Sequence, residues 1–245
     1  MIPKIIHYCW FGGGPISAES QKCMESWKKY CPDYKIIEWN DQNFDISTNR
    51  YAQQAYEAKK YAFVSDYVRL AVLYEYGGIY LDTDVELVRP LDELLELPGF
   101  MGFQTNNEVA TGLGFGARKG NSVVQALLRD YDALDFLKAD GSADLTPCPE
   151  RNTRVLQALG VRKDGTRQSI AEMEIFPAEY FCPMDFYSRE LRVTPKTYSI
   201  HRYAESWKPK PSAVSRILQR LLKKHYYTWY CPLRGRIEGR LRKRT

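Results

Sequence analysis

The chain has 245 residues, of which 44% are apolar and 27% charged, and a formal net charge of +5 at pH 7. This composition is typical of a folded globular protein and excludes a disordered chain, a collagen-like chain and a small disulfide scaffold. The charge is uneven, because residues 208–245 carry twelve basic residues and one acidic residue, whereas residues 1–207 carry 23 basic and 29 acidic ones. An acidic body excludes a uniformly basic nucleic-acid-binding protein, so we expect no nucleic-acid partner.

Strands and helices alternate along the first hundred residues. Strands are predicted over 4–10, 35–39 and 79–81, and helices over 17–30, with Ser17 as N-cap, and over 51–76, with Gly77 and Gly78 as the stop. This order predicts a parallel α/β sheet. The later predicted strands are 100–104, 112–117, 174–176 and 198–201, and the later predicted helices are 123–137 and 153–159.

The cysteines and the N-terminus bear on the compartment. The six cysteines form no Cys-x-x-Cys pair and no zinc-type spacing, which favours reduced thiols. The first residues contain no apolar stretch of the length of a signal peptide. We therefore expect a cytoplasmic protein.

Two carboxylates follow the third predicted strand. Side chains alternate along a strand, so Asp82 and Asp84 share a face and repel each other unless a cation or hydrogen bonds compensate. Mg²⁺ or Mn²⁺ is the natural partner of such oxygen ligands and would also bind substrate phosphates. The alternative is a chance pair in a solvated turn, which the apolar strand before Asp82 disfavours.

The helix before this strand carries Asp66 and Arg69 on neighbouring helical positions. One interpretation is an exposed ion pair, which contributes little. The surrounding residues are strongly apolar, however, so the helix is expected to be buried. Burial favours a paired or ligand-bound role for both side chains.

Three segments, IPKIIHYCWFGG, FVSDYVRLAVLYEYGGIYLDTDVE and SIHRYAESW, together resemble glycosyltransferase family 32. These are sugar transferases with an Asp-x-Asp motif, found in bacterial capsule and exopolysaccharide synthesis and in fungal mannan initiation, and their framework is similar to the glucosylating domain of large clostridial toxins. The resemblance covers residues 1–207 and implies an α/β GT-A domain, a Rossmann-like nucleotide-binding sheet with flanking helices. It implies a metal-dependent, retaining enzyme that moves a hexose, with galactose as the first expectation, from a UDP-sugar to a glycan or lipid-linked acceptor.

On the nucleotide side, the resemblance assigns roles to four residues. Trp10 would stack on the nucleobase, the alternative being a core tryptophan. Asn40 would lie near the nucleotide. Asp66 and Arg69 would bind the ribose and the donor sugar or its phosphate.

On the diphosphate side, the resemblance implies a metal site. Asp82, Asp84 and His201 would hold Mn²⁺ or Mg²⁺, with Asp84 as a direct ligand and Asp82 nearer the ribose and sugar; the alternative for His201 is a structural role. Ser206 and Trp207 would close over the diphosphate and belong to the donor site. Three residues are predicted to be catalytic: Asp84, Asp82 and Arg69.

Residues 208–245 form a second predicted region. Apolar residues recur at helical spacing over 212–230, with Arg and Lys between them and Trp229 near the end. This pattern predicts a basic amphipathic helix on an anionic surface, placing the protein peripherally on the inner face of the cell membrane. The alternative is a helix packed on the catalytic domain with its charges in solvent.

Two other functions are compatible with the pattern. One is a nucleotide-sugar hydrolase or an inactive paralogue of a transferase. The other is a nucleotide-sugar-binding or carbohydrate-binding protein without transfer activity, in which the aromatic residues grip a glycan and the carboxylates are incidental.

Overall fold

The computed structural model describes residues 1–186 and 188–204. Within them, Met1–Met184 and residues 192–204 belong to one compact unit, and Asp185–Leu191 belongs to a second. Ser206, Trp207 and the predicted tail 208–245 lie outside the described residues. Across the part of the chain that is described, no helix is both long and apolar enough to cross a membrane.

The first unit alternates short strands and helices. In chain order the strands are β1 (Ile5–Cys9), β2 (Lys35–Trp39), β3 (Gly78–Tyr80), β4 (Val85–Leu87), β5 (Gly99–Phe103), β6 (Val109–Ala110), β7 (Phe115–Ala117), β8 (Gln168–Ile170), β9 (Met173–Phe176) and β10 (Ser199–His201). The α-helices are α1 (Ala18–Tyr30), α2 (Arg50–Glu57), α3 (Tyr61–Tyr76), α4 (Ser122–Asp132), α5 (Cys148–Ala158) and α6 (Ala178–Phe181). Short 3₁₀ turns lie at Ile46–Thr48 and Asp92–Leu94.

Eight of the described strands form one sheet in the order β2–β1–β3–β7–β5–β9–β8, with β6 paired to β5. β2, β1 and β3 run parallel, whereas β7 runs antiparallel to both β3 and β5. The prediction of a parallel sheet is therefore right for the first three strands and wrong for the middle of the sheet. The predicted GT-A class of α/β fold is confirmed, since the parallel half is Rossmann-like and helices flank the sheet.

Apolar layers cover both faces of the sheet. Helices α2 to α5 pack on one face around residues such as Val64 and Leu70. Helix α1 and α6 pack on the other face, where Trp27 and Phe181 are fully buried. Each such side chain contributes about 1.5–3 kcal/mol on burial, so the two layers fix the sheet that carries the site.

Three predicted helices have different bounds in the structure. The helix predicted over 123–137 spans Ser122–Asp132 and thus ends earlier. The single helix predicted over 51–76 is two helices, separated at Ala58 to Lys60, where Lys59 has a left-handed φ of 55°. Periodicity missed this break because none of these three residues is a strong helix breaker. The helix predicted over 153–159 begins earlier, at Cys148, because Pro149 suits the first turn of a helix.

The strand ends place the predicted site residues at one edge of the sheet. Because β1, β2 and β3 are parallel, Trp10, Asn40 and Asp82 all follow carboxyl ends of neighbouring strands. That edge is where open α/β sheets bind their ligands. A separate antiparallel pair, β4 with β10, sets His201 opposite Val85 and therefore beside Asp84.

Candidate metal and donor site

Asp82, Asp84 and His201 meet at the end of β3. One oxygen of each carboxylate and one ring nitrogen of His201 all lie within 4.8 Å of one another. The Nε2 atom of His201 is 3.2 Å from Oδ1 of Asp84, and the other oxygen of Asp84 accepts a hydrogen bond of 2.7 Å from the backbone N–H of Ala204. The three residues predicted to bind a metal are thus brought together, although 117 positions separate Asp84 from His201.

The chemistry of this cluster fits a divalent cation. Two carboxylates and one imidazole form a mixed oxygen and nitrogen donor set of the kind that binds Mn²⁺, and carboxylate oxygens also suit Mg²⁺. The Nδ1 atom of His201 is buried and has no hydrogen-bond partner among residues 1–186 and 188–204. A cation between the carboxylates would also offset their mutual repulsion.

The electrostatics of the cluster keep Asp84 ionised. Burial raises the pKa of Asp84, but the His201 ring beside it outweighs burial and lowers this pKa to about 2. Burial lowers the pKa of His201, and the charge of Asp84 reverses that effect and raises it. The pKa of Asp82 is raised by burial, with Arg69 opposing the change.

Arg69 joins Asp66 to Asp82. Its guanidinium lies 3.1 Å from Oδ1 of Asp66 and 3.2 Å from Oδ1 of Asp82, and its Nε donates to the backbone oxygen of Ser65 at 2.9 Å. Asp66 and Arg69 are 8% and 5% exposed, so the pair is buried rather than on the surface. Buried charges of this kind are held in a fixed geometry, because leaving any of them unpaired is costly.

Asp66 also contacts the start of α5. Burial raises the pKa of Asp66 to about 6, with Arg69 opposing and a hydrogen bond from the Cys148 side chain also lowering it. Cys148 Sγ lies 3.3 Å from the hydroxyl of Thr111, and Asn152 Nδ2 donates to both at 3.2 Å. A chain of buried polar groups therefore supports the carboxylate that is predicted to bind the donor.

Two residues that the sequence analysis did not assign complete this side of the site. The hydroxyl of Tyr80 donates to Oδ1 of Asp82 at 3.0 Å, and the Arg69 guanidinium lies 4.8 Å from the centre of the Tyr80 ring. Gly112 is so close to Asp82 that a Cβ atom there would collide with Oδ2 of the carboxylate. Strand alternation could have identified Tyr80, two residues before Asp82, but no local pattern predicts the approach of Gly112.

Trp10, predicted to stack on the nucleobase, and Asn40, predicted to lie near the nucleotide, follow the ends of β1 and β2 at the same edge of the sheet. Trp10 is partly buried, and its indole N–H donates to the backbone oxygen of Gly14 at 2.6 Å, which fixes the ring against the glycine-rich turn. The Asn40 amide is engaged locally, since it donates to Glu38 at 2.7 Å and accepts from the N–H of Gln42 at 2.9 Å. Their roles toward a nucleotide stay predictions.

Comparison with known proteins agrees with this geometry. Residues 17–100 match the family model described as "Glycosyltransferase sugar-binding region containing DXD motif". This segment of the chain is therefore similar to the sugar-binding region of DXD glycosyltransferases, in agreement with the predicted enzyme class. The match includes Asp66, Arg69, Asp82 and Asp84, whereas His201 lies outside it.

Two curated proteins illustrate the similarity of the chain to known sugar transferases. The chain is 30% identical over 150 residues to "Inositol phosphoceramide mannosyltransferase 3" of Schizosaccharomyces pombe, covering 55% of this chain and 38% of that protein. It is 28% identical over 148 residues to human "Alpha-1,4-N-acetylglucosaminyltransferase", covering 60% of this chain and 38% of that protein. The chain thus spans less than half the length of these two relatives.

Solved structures resemble the chain only in part. The structure titled "PaToxG Glycosyltransferase" has a TM-score of 0.47 and 21% identity, over 64% of this chain and 69% of that one. A likeness at this level is too distant to bear on function.

Proposed function

We propose that this chain transfers a hexose from a UDP-sugar to a hydroxyl group of a glycan or lipid-linked glycan, with Mn²⁺ or Mg²⁺ held by Asp82, Asp84 and His201. The observation that carries the proposal is the meeting of these three side chains within 4.8 Å, next to the buried Arg69. The role in surface polysaccharide synthesis, of the capsule or exopolysaccharide type, is part of the same proposal.

The chain's own residues supply fixed charges and hydrogen-bond partners. Asp84 and His201 would hold the divalent cation, which when bound offsets the charge that develops on the leaving diphosphate. Arg69 pairs with Asp66 and Asp82 and so favours their ionised forms and holds them in place, which lets both accept hydrogen bonds from hydroxyl groups of the donor. Such preorganised charges are usually the largest contribution to catalysis in sites of this kind.

The reaction exchanges one bond at the anomeric carbon for another. The bond from that carbon to the diphosphate oxygen breaks, the bond to the acceptor oxygen forms, and the acceptor proton passes to the leaving diphosphate. We propose that both events occur on the same face of the sugar, so that the configuration is retained without a covalent intermediate. Trapping a glycosylated carboxylate on the protein would contradict this route.

The identity of the donor is the finer part of the proposal. UDP-galactose is the donor expected from the sequence, with UDP-glucose and N-acetylhexosamine donors next. GDP-mannose is the least expected donor from the sequence, but the names of the relatives, a mannosyltransferase and an N-acetylglucosaminyltransferase, favour testing it and favour N-acetylglucosamine as the N-acetylhexosamine. The donor panel therefore spans two nucleobases and four sugars.

A donor panel with Mn²⁺ tests the proposal. Each nucleotide sugar is incubated with the full chain with and without a glycan acceptor, and released nucleotide and glycosylated acceptor are both measured. The proposal predicts one preferred donor, product that requires acceptor, and loss of product with EDTA that Mn²⁺ restores. Acceptor-independent release of nucleotide would instead indicate a hydrolase, and glycan binding that ignores nucleotide and Mn²⁺ would indicate a carbohydrate-binding protein.

We also propose that residues 208–245 hold the protein peripherally on the cytoplasmic, anionic face of a membrane, where lipid-linked acceptors lie. The support is the twelve basic residues of this segment, each of which contributes about 1 kcal/mol near such a surface. Flotation with vesicles containing phosphatidylserine, with the full chain and a chain ending at residue 207, tests this. Equal flotation of the two forms would contradict the proposal.

A further inference from the structure

In the segment 202–204, which follows β10, the backbone contacts Asp84. The backbone N–H of Arg202 donates to the backbone oxygen of Asp84 at 2.9 Å, and the backbone N–H of Ala204 donates to its carboxylate at 2.7 Å. His201 contacts the other carboxylate oxygen at 3.2 Å. Three contacts, from residues 201, 202 and 204, therefore fix one candidate metal ligand in both its main chain and its side chain.

Tyr203 lies in the middle of this segment in a strained conformation. Its φ is 52°, in the left-handed region, which a residue other than glycine adopts at a cost of about 1–2 kcal/mol. This turn is what lets the N–H groups on either side of Tyr203 both reach Asp84. Strain of this kind persists only where the surrounding contacts determine the conformation, and it is concentrated at functional sites.

Two contacts of the Tyr203 side chain hold the strained turn. Its hydroxyl is 2.8 Å from Sγ of Cys182, which is fully buried at the end of α6. Its ring meets the His201 ring edge to face, with 4.2 Å between the ring centres. Tyr203 thereby links the buried end of α6 to the imidazole of the cluster.

The orientation of His201 needs such a contact. A histidine that binds a metal usually donates its second ring N–H to a carboxylate, carbonyl or water, and this bond fixes the ring. Nδ1 of His201 is buried and has no such partner among the residues that the structure describes. Besides the contact of Nε2 with Asp84, packing of the Tyr203 ring against the imidazole restrains the orientation of His201.

We propose that Tyr203 is a positioning residue for the metal centre, which orients His201 through its ring and Asp84 through its left-handed backbone. This inference rests on the proposed function, because it assumes that Asp84 and His201 bind a cation. It predicts that the side chain of Tyr203 controls metal affinity although it offers no ligand atom of its own to the cluster.

Mn²⁺ affinity of the full chain, measured from the EPR signal of free Mn²⁺ with and without UDP, tests the role. The variants are Tyr203→Ala, which removes the ring, Tyr203→Gly, which removes the ring and relaxes the backbone, and Tyr203→Phe, which keeps the ring and loses the hydroxyl. Tyr198→Phe is the matched control, since it removes a tyrosine hydroxyl bonded to Glu93 at 2.7 Å beside β10. Circular dichroism and thermal unfolding confirm folding, and Tyr203→Gly serves if the alanine variant fails to fold, because glycine accepts this φ.

We expect Kd for Mn²⁺ to rise about 10- to 100-fold in the alanine and glycine variants, as is typical for loss of a group that orients a ligand. The Kd of the Tyr203→Phe variant should be closer to that of the wild type. The Kd of the Tyr198→Phe control should equal that of the wild type. The role of Tyr203 would be overturned if Kd is unchanged in the folded alanine and glycine variants, or if Kd rises equally in the control. Either result would leave the proposed metal site standing. A wild-type chain that binds no Mn²⁺ would overturn the proposed metal site itself, and this role with it.

Discussion

The two carboxylates of the Asp-x-Asp pair are held by different parts of the molecule. Asp82 is fixed by side chains close to it in sequence, the guanidinium of Arg69 at 3.2 Å and the hydroxyl of Tyr80 at 3.0 Å. Asp84 is fixed by the backbone of Ala204 and the ring of His201, which β10 brings from more than a hundred residues away. The three residues 82–84 therefore connect two parts of the fold. One is the local unit of α3 and β3, and the other is the long-range strand pair of β4 and β10.

The different surroundings of Asp82 and Asp84 suit the two carboxylates to different roles. The surroundings of Asp82 are buried and charge-paired, which suits recognition of donor hydroxyl groups by a fixed carboxylate. The surroundings of Asp84 keep its pKa low and place an imidazole beside it, which suits binding of a cation. Substitutions on the two sides are expected to have different signatures.

The largest effect is expected on the Asp82 side, from Arg69→Met. Removal of the guanidinium leaves the buried Asp66 and the partly buried Asp82 without their shared partner, and breaking a buried ion pair typically costs about 3–5 kcal/mol. Urea unfolding should show this loss of stability together with loss of transfer. Arg154→Met is the control, because Arg154 pairs with Asp130 on the surface and is 61% exposed; equal destabilisation by both would contradict the special role of Arg69.

On the other side, Asp84→Asn should remove activity and leave the fold intact. The amide keeps the shape of the side chain but loses the charge that would hold the cation, so we expect transfer to fall by at least ~10²–10³-fold. Thermal unfolding should change little. Asp135→Asn, at an ion pair with the 75% exposed Arg50, is the isosteric control and should keep activity; full activity of the Asp84 variant would refute the metal role.

His7 is a buried histidine that the proposed function does not use. Its Nε2 donates to the oxygen of Gly77 at 2.9 Å and its Nδ1 accepts from the indole N–H of Trp39 at 3.0 Å, so the buried ring is neutral. Burial lowers its pKa from 6.5 to about 4. Between these pH values the unfolded chain binds more protons, so the contribution of His7 to stability is lost as the pH falls, by up to about 3 kcal/mol.

The measurement for His7 is the free energy of unfolding in urea at pH 7.5 and pH 4.5, for the wild type and His7→Gln. The difference in unfolding free energy between the two proteins reports on His7, because both proteins contain Asp66. The raised pKa of Asp66 changes stability with pH in the opposite direction. The variant should be less stable than the wild type at pH 7.5, and the gap should narrow at pH 4.5. A gap that is independent of pH would show that His7 does not titrate as described.

The smallest effect is expected from Tyr80→Phe, which removes one hydrogen bond to Asp82 and keeps the ring beneath Arg69. A hydrogen bond to a charged group contributes about 1.5–3 kcal/mol, and at the lower end of this range kcat/KM for the donor should fall roughly tenfold. Mn²⁺ affinity should change less than donor affinity if Asp82 mainly serves the donor. The reverse order of effects would assign Asp82 chiefly to the cation.

The sequence predicted the parts of the fold and site that depend on local pattern. Ser17 caps α1 as expected, accepting from the N–H of Ser20, and the strand over 35–39 has the predicted bounds. Burial of Asp66 and Arg69 followed from the apolar residues of their own helix. These features need only periodicity and capping, which are properties of neighbouring residues.

Other features depend on distant contacts and were missed. The strand β4 has only three residues and is stabilised by pairing with the distant β10. Its own sequence is therefore too short to show the alternating pattern that predicts a strand. The antiparallel direction of β7 depends on its two neighbours in the sheet, and the approach of Gly112 to Asp82 depends on a loop that local pattern does not describe. His201 joined the site in the sequence analysis only through family resemblance, since a lone histidine in a strand has no local mark of a ligand.

If Asp82, Asp84 and His201 form one metal site for a nucleoside diphosphate, the metal and the nucleotide must bind there together. The most direct test is a crystal structure of the full chain with Mn²⁺ and UDP, with anomalous difference density recorded for manganese. We expect a peak in contact with Asp84 and His201 and with oxygens of the diphosphate. A bound diphosphate with no manganese at these residues, or manganese bound elsewhere in the chain, would contradict the proposed metal site.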